Sequence, residues 1–123
     1  MTRTSRNLDW RDIARAELET LLLAREDWTG LWEPLWALNS VAPEVAIEER
    51  GRVAAAAIRN LRDAGYITFV RMAWPPVGEP QPIAPEDVET ALLGHGWRQI
   101  PPDCDVWFGA TAAGEAAFFR TAE

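Results

Sequence analysis

Apolar residues recur from Trp10 through Ile13, Ala14, Leu18, Leu21 and Leu22 to Ala24. That is about one per 3.6-residue turn, which predicts a first helix over about residues 9–25. Asp9 is its expected N-cap, with Asp12 in the capping-box position. Glu26-Asp27 breaks the pattern. A second helix is expected over about residues 31–39, with Pro34 confined to its first turn because proline breaks a helix interior. Thr29 or Gly30 is the expected cap. Trp28, Trp32 and Trp36 are spaced by four, which puts them on one helical face beside Leu31, Leu35 and Leu38. Trp36 and Trp107 are expected in the core, while Trp28 is left open between core and surface.

A third helix is expected from Pro43 or Glu44 to Ala64. Val53, Ala54, Ala57, Ile58 and Leu61 form its buried stripe, and Gly65 serves as a left-handed stop. Gly51 leaves open a break in this helix. The stretch from Tyr66 to Ala73 is rich in β-branched and aromatic residues and predicts a strand. The next segment, about residues 74–102, is punctuated by Pro75, Pro76, Gly78, Pro80, Pro82 and Pro85. Proline keeps it from pairing as a central strand. Within it a short helix starts at Pro85, carries Val88, Ala91, Leu92 and Leu93, and stops near Gly94. A last strand follows over about residues 105–110, and Thr111 caps a fifth helix. Residues 1–7 read as a polar tail and residues 8–123 as one domain.

These elements predict a mainly α fold with a small antiparallel β-wing: a three-helix core, a two-stranded hairpin and a C-terminal helix. Two motifs add a family resemblance. Leu61-Arg-Asp-Ala-Gly65-Tyr-Ile is similar to the exit of the recognition helix in MarR-, PadR- and ArsR-type regulators. Trp107-Phe-Gly-Ala-Thr111-Ala-Ala-Gly114-Glu115 resembles the Leu-Thr-x-x-Gly that leaves the wing in those families. The resemblance covers about residues 8–73 and 105–120 and implies a winged helix-turn-helix with an enlarged wing. Winged helices are binding modules, so the resemblance implies binding without chemistry.

Charge changes the choice of partner. The formal net charge is −7, and nucleic-acid binding draws its free energy mostly from cations against phosphates. DNA is therefore disfavoured, and a protein–protein adaptor or regulator, with an immunity- or antitoxin-type inhibitor among the options, is the leading reading. A small acidic protein is suited to a basic partner by charge complementarity. The alternative is a sequence-specific DNA-binding regulator using Arg52, Arg59, Arg62 and Arg71. It would act as a dimer through the first or fifth helix, with Phe118 and Phe119 as contacts.

For the leading reading the insertion supplies the candidate partner-binding residues: Trp74, Pro76, Glu86, Asp87, His95 and Trp97. A segment this long is usually functional or disordered. The competing view is a decoration that packs Val88, Leu92 and Trp97 back on the sheet. Trp74 and Trp97 are expected to be partly exposed.

Chemistry has few footholds in the sequence. Cys104 is the sole cysteine and sits between Asp103 and Asp105, which raise a thiol's pKa and quieten it. His95 is the sole histidine and has no second ligand at zinc spacing. Neither a phosphate loop, a dinucleotide fingerprint nor a triad is present. The expectation is a non-enzymatic protein without cofactor or metal, without a membrane span, and cytoplasmic.

Overall fold

The computed structural model describes residues 10–41, 43–73, 78–99 and 102–122. The fold is mainly α with a small antiparallel sheet, as the hydrophobic pattern predicts. Its elements are α1 (Trp10–Glu26), β1 (Thr29–Gly30), α2 (Glu33–Val41), α3 (Ile47–Asp63), β2 (Ile67–Arg71), α4 (Pro85–Leu93), β3 (Val106–Ala110) and α5 (Ala112–Ala122). Asp9 and residues 1–7 lie outside the described residues.

The core forms where α1 and α2 pack on α3 and on the sheet. α3 buries Val53, Ala54, Ala57, Ile58 and Leu61, the stripe that its spacing predicts, and adds Gly51 and Ala55. The helix runs unbroken through Gly51. It stops in a left-handed glycine turn: Gly65 has φ of 77°. There the Tyr66 amide donates to the Leu61 carbonyl (2.9 Å) and the Gly65 amide to the Arg62 carbonyl (2.9 Å), which satisfies carbonyls the helix would otherwise leave open.

The sheet has three strands rather than the expected two, in the order β1-β3-β2, both pairs antiparallel. The central strand β3 pairs Phe108 with Phe69 on one side and with Thr29 on the other. Side chains alternate across a strand. Val106 and Phe108 enter the main core, while Trp107 joins Trp32 and Met72 in a second cluster. The Trp107 indole Nε1 donates to the Met72 carbonyl at 3.1 Å, and the Trp32 and Trp107 rings meet edge to face at 4.9 Å.

The tryptophan spacing near α2 misleads. α2 begins at Glu33, so Trp28 and Trp32 lie outside it and do not share its face. Trp32 is 1% exposed, whereas Trp36 is 37% exposed and not in the core as expected. Thr29 and Gly30 form β1 instead of a cap. The Glu33 carboxylate accepts from the Gly30 amide at 2.6 Å. Burial pushes the Glu33 carboxyl up, and that hydrogen bond works against the shift.

α5 docks on the exit of α3. The Thr111 hydroxyl accepts from the Gly114 amide (3.0 Å) and donates to the Gly65 carbonyl (2.7 Å), and the Thr111 amide donates to the Tyr66 carbonyl (3.0 Å). A side chain at 114 would collide with the Tyr66 carbonyl, so this approach requires glycine.

The insertion folds back onto the same core. Gln81 forms a single bridge to Arg71 at the edge of β2. Val88, Leu92 and Trp97 join the main hydrophobic cluster. Trp97 is 1% exposed, which corrects its expected partial exposure. It lies in a short 3-10 turn, Gly96–Arg98, and its indole donates to the Leu92 carbonyl at 3.2 Å. Trp74 and Pro76 lie outside the described residues. Among the described residues, no helix is long and apolar enough to cross a membrane.

Candidate functional site

Of the two acids singled out for a protein partner, Asp87 meets one of the DNA candidates, Arg71, and Glu89, two positions further along α4, meets two more, Arg59 and Arg62. Arg59 donates to Glu89 of α4 three times, Nε to Oε1 at 3.0 Å and to Oε2 at 3.2 Å, and Nη2 to Oε2 at 2.8 Å. Arg62 Nη1 donates to the same Oε1 at 2.9 Å. One carboxylate thus binds two guanidinium groups in the paired geometry that makes such bonds strong. Hydrogen bonds from Arg59 and then Arg62 hold the Glu89 carboxyl down at about 2. Arg71 stands between Asp87 (3.7 Å) and Asp105 (3.3 Å). Arg52 pairs with Glu49 on its own helix at 2.7 Å.

All four DNA candidates therefore carry a carboxylate neighbour, and of the four acids that meet Arg59, Arg62 and Arg71, Glu89 and Asp87 belong to the insertion, while Asp63 and Asp105 do not. Sequence spacing could not show this, because the partners lie far apart in the chain. Glu86 points away from this network and is exposed. With Thr90 and Leu93 it forms one outer face of α4, the three lying four and then three positions apart, at helical spacing. Leu93 is 72% exposed.

A second feature was not anticipated from the residues. Leu35, Trp36 and Asn39 of α2, Ile47, Glu48 and Arg52 of α3, and His95 and Arg98 beside the 3-10 turn surround an open groove of about 510 Å³. Trp36 and Ile47 give it an exposed apolar floor, Ile47 being 67% exposed. Arg50 fastens α3 to α2, donating to the Val45 carbonyl at 2.9 Å and to the Asn39 side chain.

Gly51 shapes the groove wall. A Cβ there would lie 2.7 Å from Arg98 Nη1, so the missing side chain lets the guanidinium rest on α3. Arg98 also lies over the Trp97 ring at 5.0 Å, a cation–π contact. Its Nε is buried and has no hydrogen-bond partner. The one signal in the sequence was Gly51 itself, since glycine inside a helical pattern often marks a close approach.

Cys104 lines a shallow hollow with Pro102, Asp103 and Asp105. Burial pushes its thiol up, with Asp105 and Asp103 adding to the shift and a backbone hydrogen bond from Val106 opposing it. Among the described residues, no group of three or more His, Cys, Asp or Glu side chains is placed to hold a metal ion. Comparison with family models, with curated proteins and with solved structures gives no match.

Proposed function

We propose that the chain is a non-enzymatic, winged-helix-like binding module of the cytoplasm that engages a basic protein partner rather than a DNA duplex. The order of helices and strands, and the left-handed glycine exit of α3 into β2, support the winged-helix part of this reading. The observation that carries the choice of partner is the Glu89 bridge to Arg59 and Arg62. Binding to DNA gains free energy when cations free of other anions replace the counterions of phosphates. Here each such arginine must first leave a carboxylate, in a chain whose net charge of −7 repels the duplex. The raised Cys104 thiol argues only against a cysteine nucleophile, because the protonated form reacts poorly.

The outer face of α4 is the surface we assign to the partner. It offers an exposed Glu86 in the first turn and a bare Leu93 at the other end, an apolar anchor and an acidic group on one face. A photo-reactive residue placed at Leu93 should give one discrete protein adduct in cells, and Glu86→Lys should diminish it. Absence of any adduct would overturn the assignment. A titration of random duplex at low and high salt tests the choice of partner. The proposal expects no salt-sensitive binding, whereas binding that Arg52→Ala/Arg59→Ala abolishes would establish the DNA-regulator reading instead.

That second reading has one observation in its favour. The Arg52 side chain is 71% exposed on α3 despite its pairing with Glu49, and exposed pairs break easily. A homodimer belongs to that reading. Leu22 of α1 and Phe119 of α5 are exposed, and Arg25 lies over the Phe119 ring at 4.5 Å. Gel filtration tests it, a monomer at micromolar concentration counting against it.

A further inference from the structure

We propose that the groove between α2, the start of α3 and the Gly96–Arg98 turn binds a small amphipathic monocarboxylate, an apolar or aromatic body carrying one acid group. The site is separate from the α4 face and goes beyond the partner-binding reading.

Four observations converge on this class of ligand. The volume of about 510 Å³ lies within the range of small-molecule sites, about 300–1,000 Å³. It is small beside the surface that a stable protein interface buries. The floor is apolar: Leu35, Trp36 and Ile47 offer an aromatic face and an aliphatic edge. An apolar body placed there would cover two of the large side chains that the fold leaves open to water.

The cation is the third observation. Arg98 lines the groove, its Nε is buried without a hydrogen-bond partner, and no carboxylate pairs with it among the described residues. That buried Nε faces away from solvent, so the groove meets the guanidinium through its other N–H groups, and a carboxylate is the anion that accepts from such groups in a paired geometry. The other arginine of the groove, Arg52, is already held by Glu49. Only Arg98 is therefore open to an incoming anion among the groove's guanidinium groups.

The fourth observation limits the charge. Glu48 lies on the same groove, so a second acid group on the ligand would meet repulsion. A single carboxylate at Arg98 with its apolar body over Trp36 and Ile47 fits both signs. The arginine is biased toward it: stacking on Trp97 and contact with Gly51 restrict the guanidinium without locking it, which lowers the entropy cost of binding.

Isothermal titration with phenylbutyrate, phenylbutanol and a short peptide ending in phenylalanine tests the inference on the full chain. Phenylbutyrate should saturate one site at concentrations up to about 5 mM, with the alcohol at least about tenfold weaker. Arg98→Gln should bring the acid down to the level of the alcohol. Ile47→Asp should weaken both, and its open position leaves the core untouched, so a normal melting curve is expected. Equal affinity for acid and alcohol would overturn the proposal. So would unchanged binding in Arg98→Gln, or no saturation by a folded protein. Tighter binding of the peptide than of the free acid would overturn the small-molecule assignment and make the groove a receptor for a chain terminus.

Discussion

Arg59 and Glu89, thirty positions apart, join α3 to α4 through three hydrogen bonds on one carboxylate. Arg62 adds a fourth. The insertion is thereby tied to the helix that the sequence offers for DNA. Replacing Glu89 by Gln should loosen α4 and take the carboxylate from Arg59, while Arg62 keeps Asp63 at 3.1 Å. The groups stay partly open to solvent, so the stability loss near neutral pH is held to about 1 kcal/mol. Denaturant melts measure it, and a loss indistinguishable from zero would show that the bridge contributes nothing.

The same carboxyl sets an acid limb. It sits at about 2 in the folded protein against an ordinary 4.5. The folded value lies below the unfolded one, so the bridge contributes fully above the ordinary value. Its contribution is lost as the pH falls from there through about 2. Between about pH 5 and pH 2 the wild type should lose stability more steeply than Glu89→Gln. Parallel curves for the two proteins would refute the assignment.

Gly51→Ala separates helix propensity from groove shape. Alanine is favoured over glycine inside a helix by about 1 kcal/mol. The atom in its way is the far end of the Arg98 side chain, which can move. The variant should therefore melt at or above the wild type, while the Trp97 indole resonance under Arg98 shifts. A loss beyond about 2 kcal/mol would mean that the guanidinium is fixed too firmly to yield.

Gly114→Ala should behave in the opposite way. Its Cβ would overlap the Tyr66 carbonyl, a backbone atom already bonded to the Thr111 amide. No rotamer change relieves that, and α5 must shift off the exit of α3. A loss of about 2–4 kcal/mol is expected. Gly94→Ala, whose nearest obstacle is 3.6 Å away, serves as the control and should be nearly neutral.

Cys104 should react slowly. With its thiol pushed up by burial and by Asp105 and Asp103, alkylation by iodoacetamide at about pH 8 should run about tenfold slower than in the urea-unfolded chain. Equal rates would show an open, ordinary thiol.

The sequence made some of this legible and hid the rest for physical reasons. Val53, Ala54, Ala57, Ile58 and Leu61 announce α3 because a helix buries one stripe, and Gly65 announces its end because the turn needs positive φ. Thr111 was likewise readable as a cap. β1 was not, since Thr29 and Gly30 have no strand character of their own and are held by Phe108 and Trp107 across the sheet. The four-residue tryptophan spacing suggested a shared face, but α2 starts after Trp32, and Trp36 within it is exposed rather than in the core. Arg59, Arg62, Glu86 and Asp87 were each visible, while the pairing of both arginines with Glu89 depended on how the insertion folds back. The groove lay hidden for a similar reason: Gly51 and Arg98 meet only after the insertion has closed over α3.

The central place of β3 also governs how the chain can assemble. β1 and β2 do not pair with each other; among the described residues both pair with β3, more than thirty positions on from β2, and β2 has besides only the single Arg71–Gln81 bridge. During synthesis no part of the sheet can zip up until residues 106–110 have cleared the ribosome. Closing such distant pairs is the slow kind of folding event. Until then β2 remains an edge with at most that one bridge, the sort of surface on which nascent chains stick to one another.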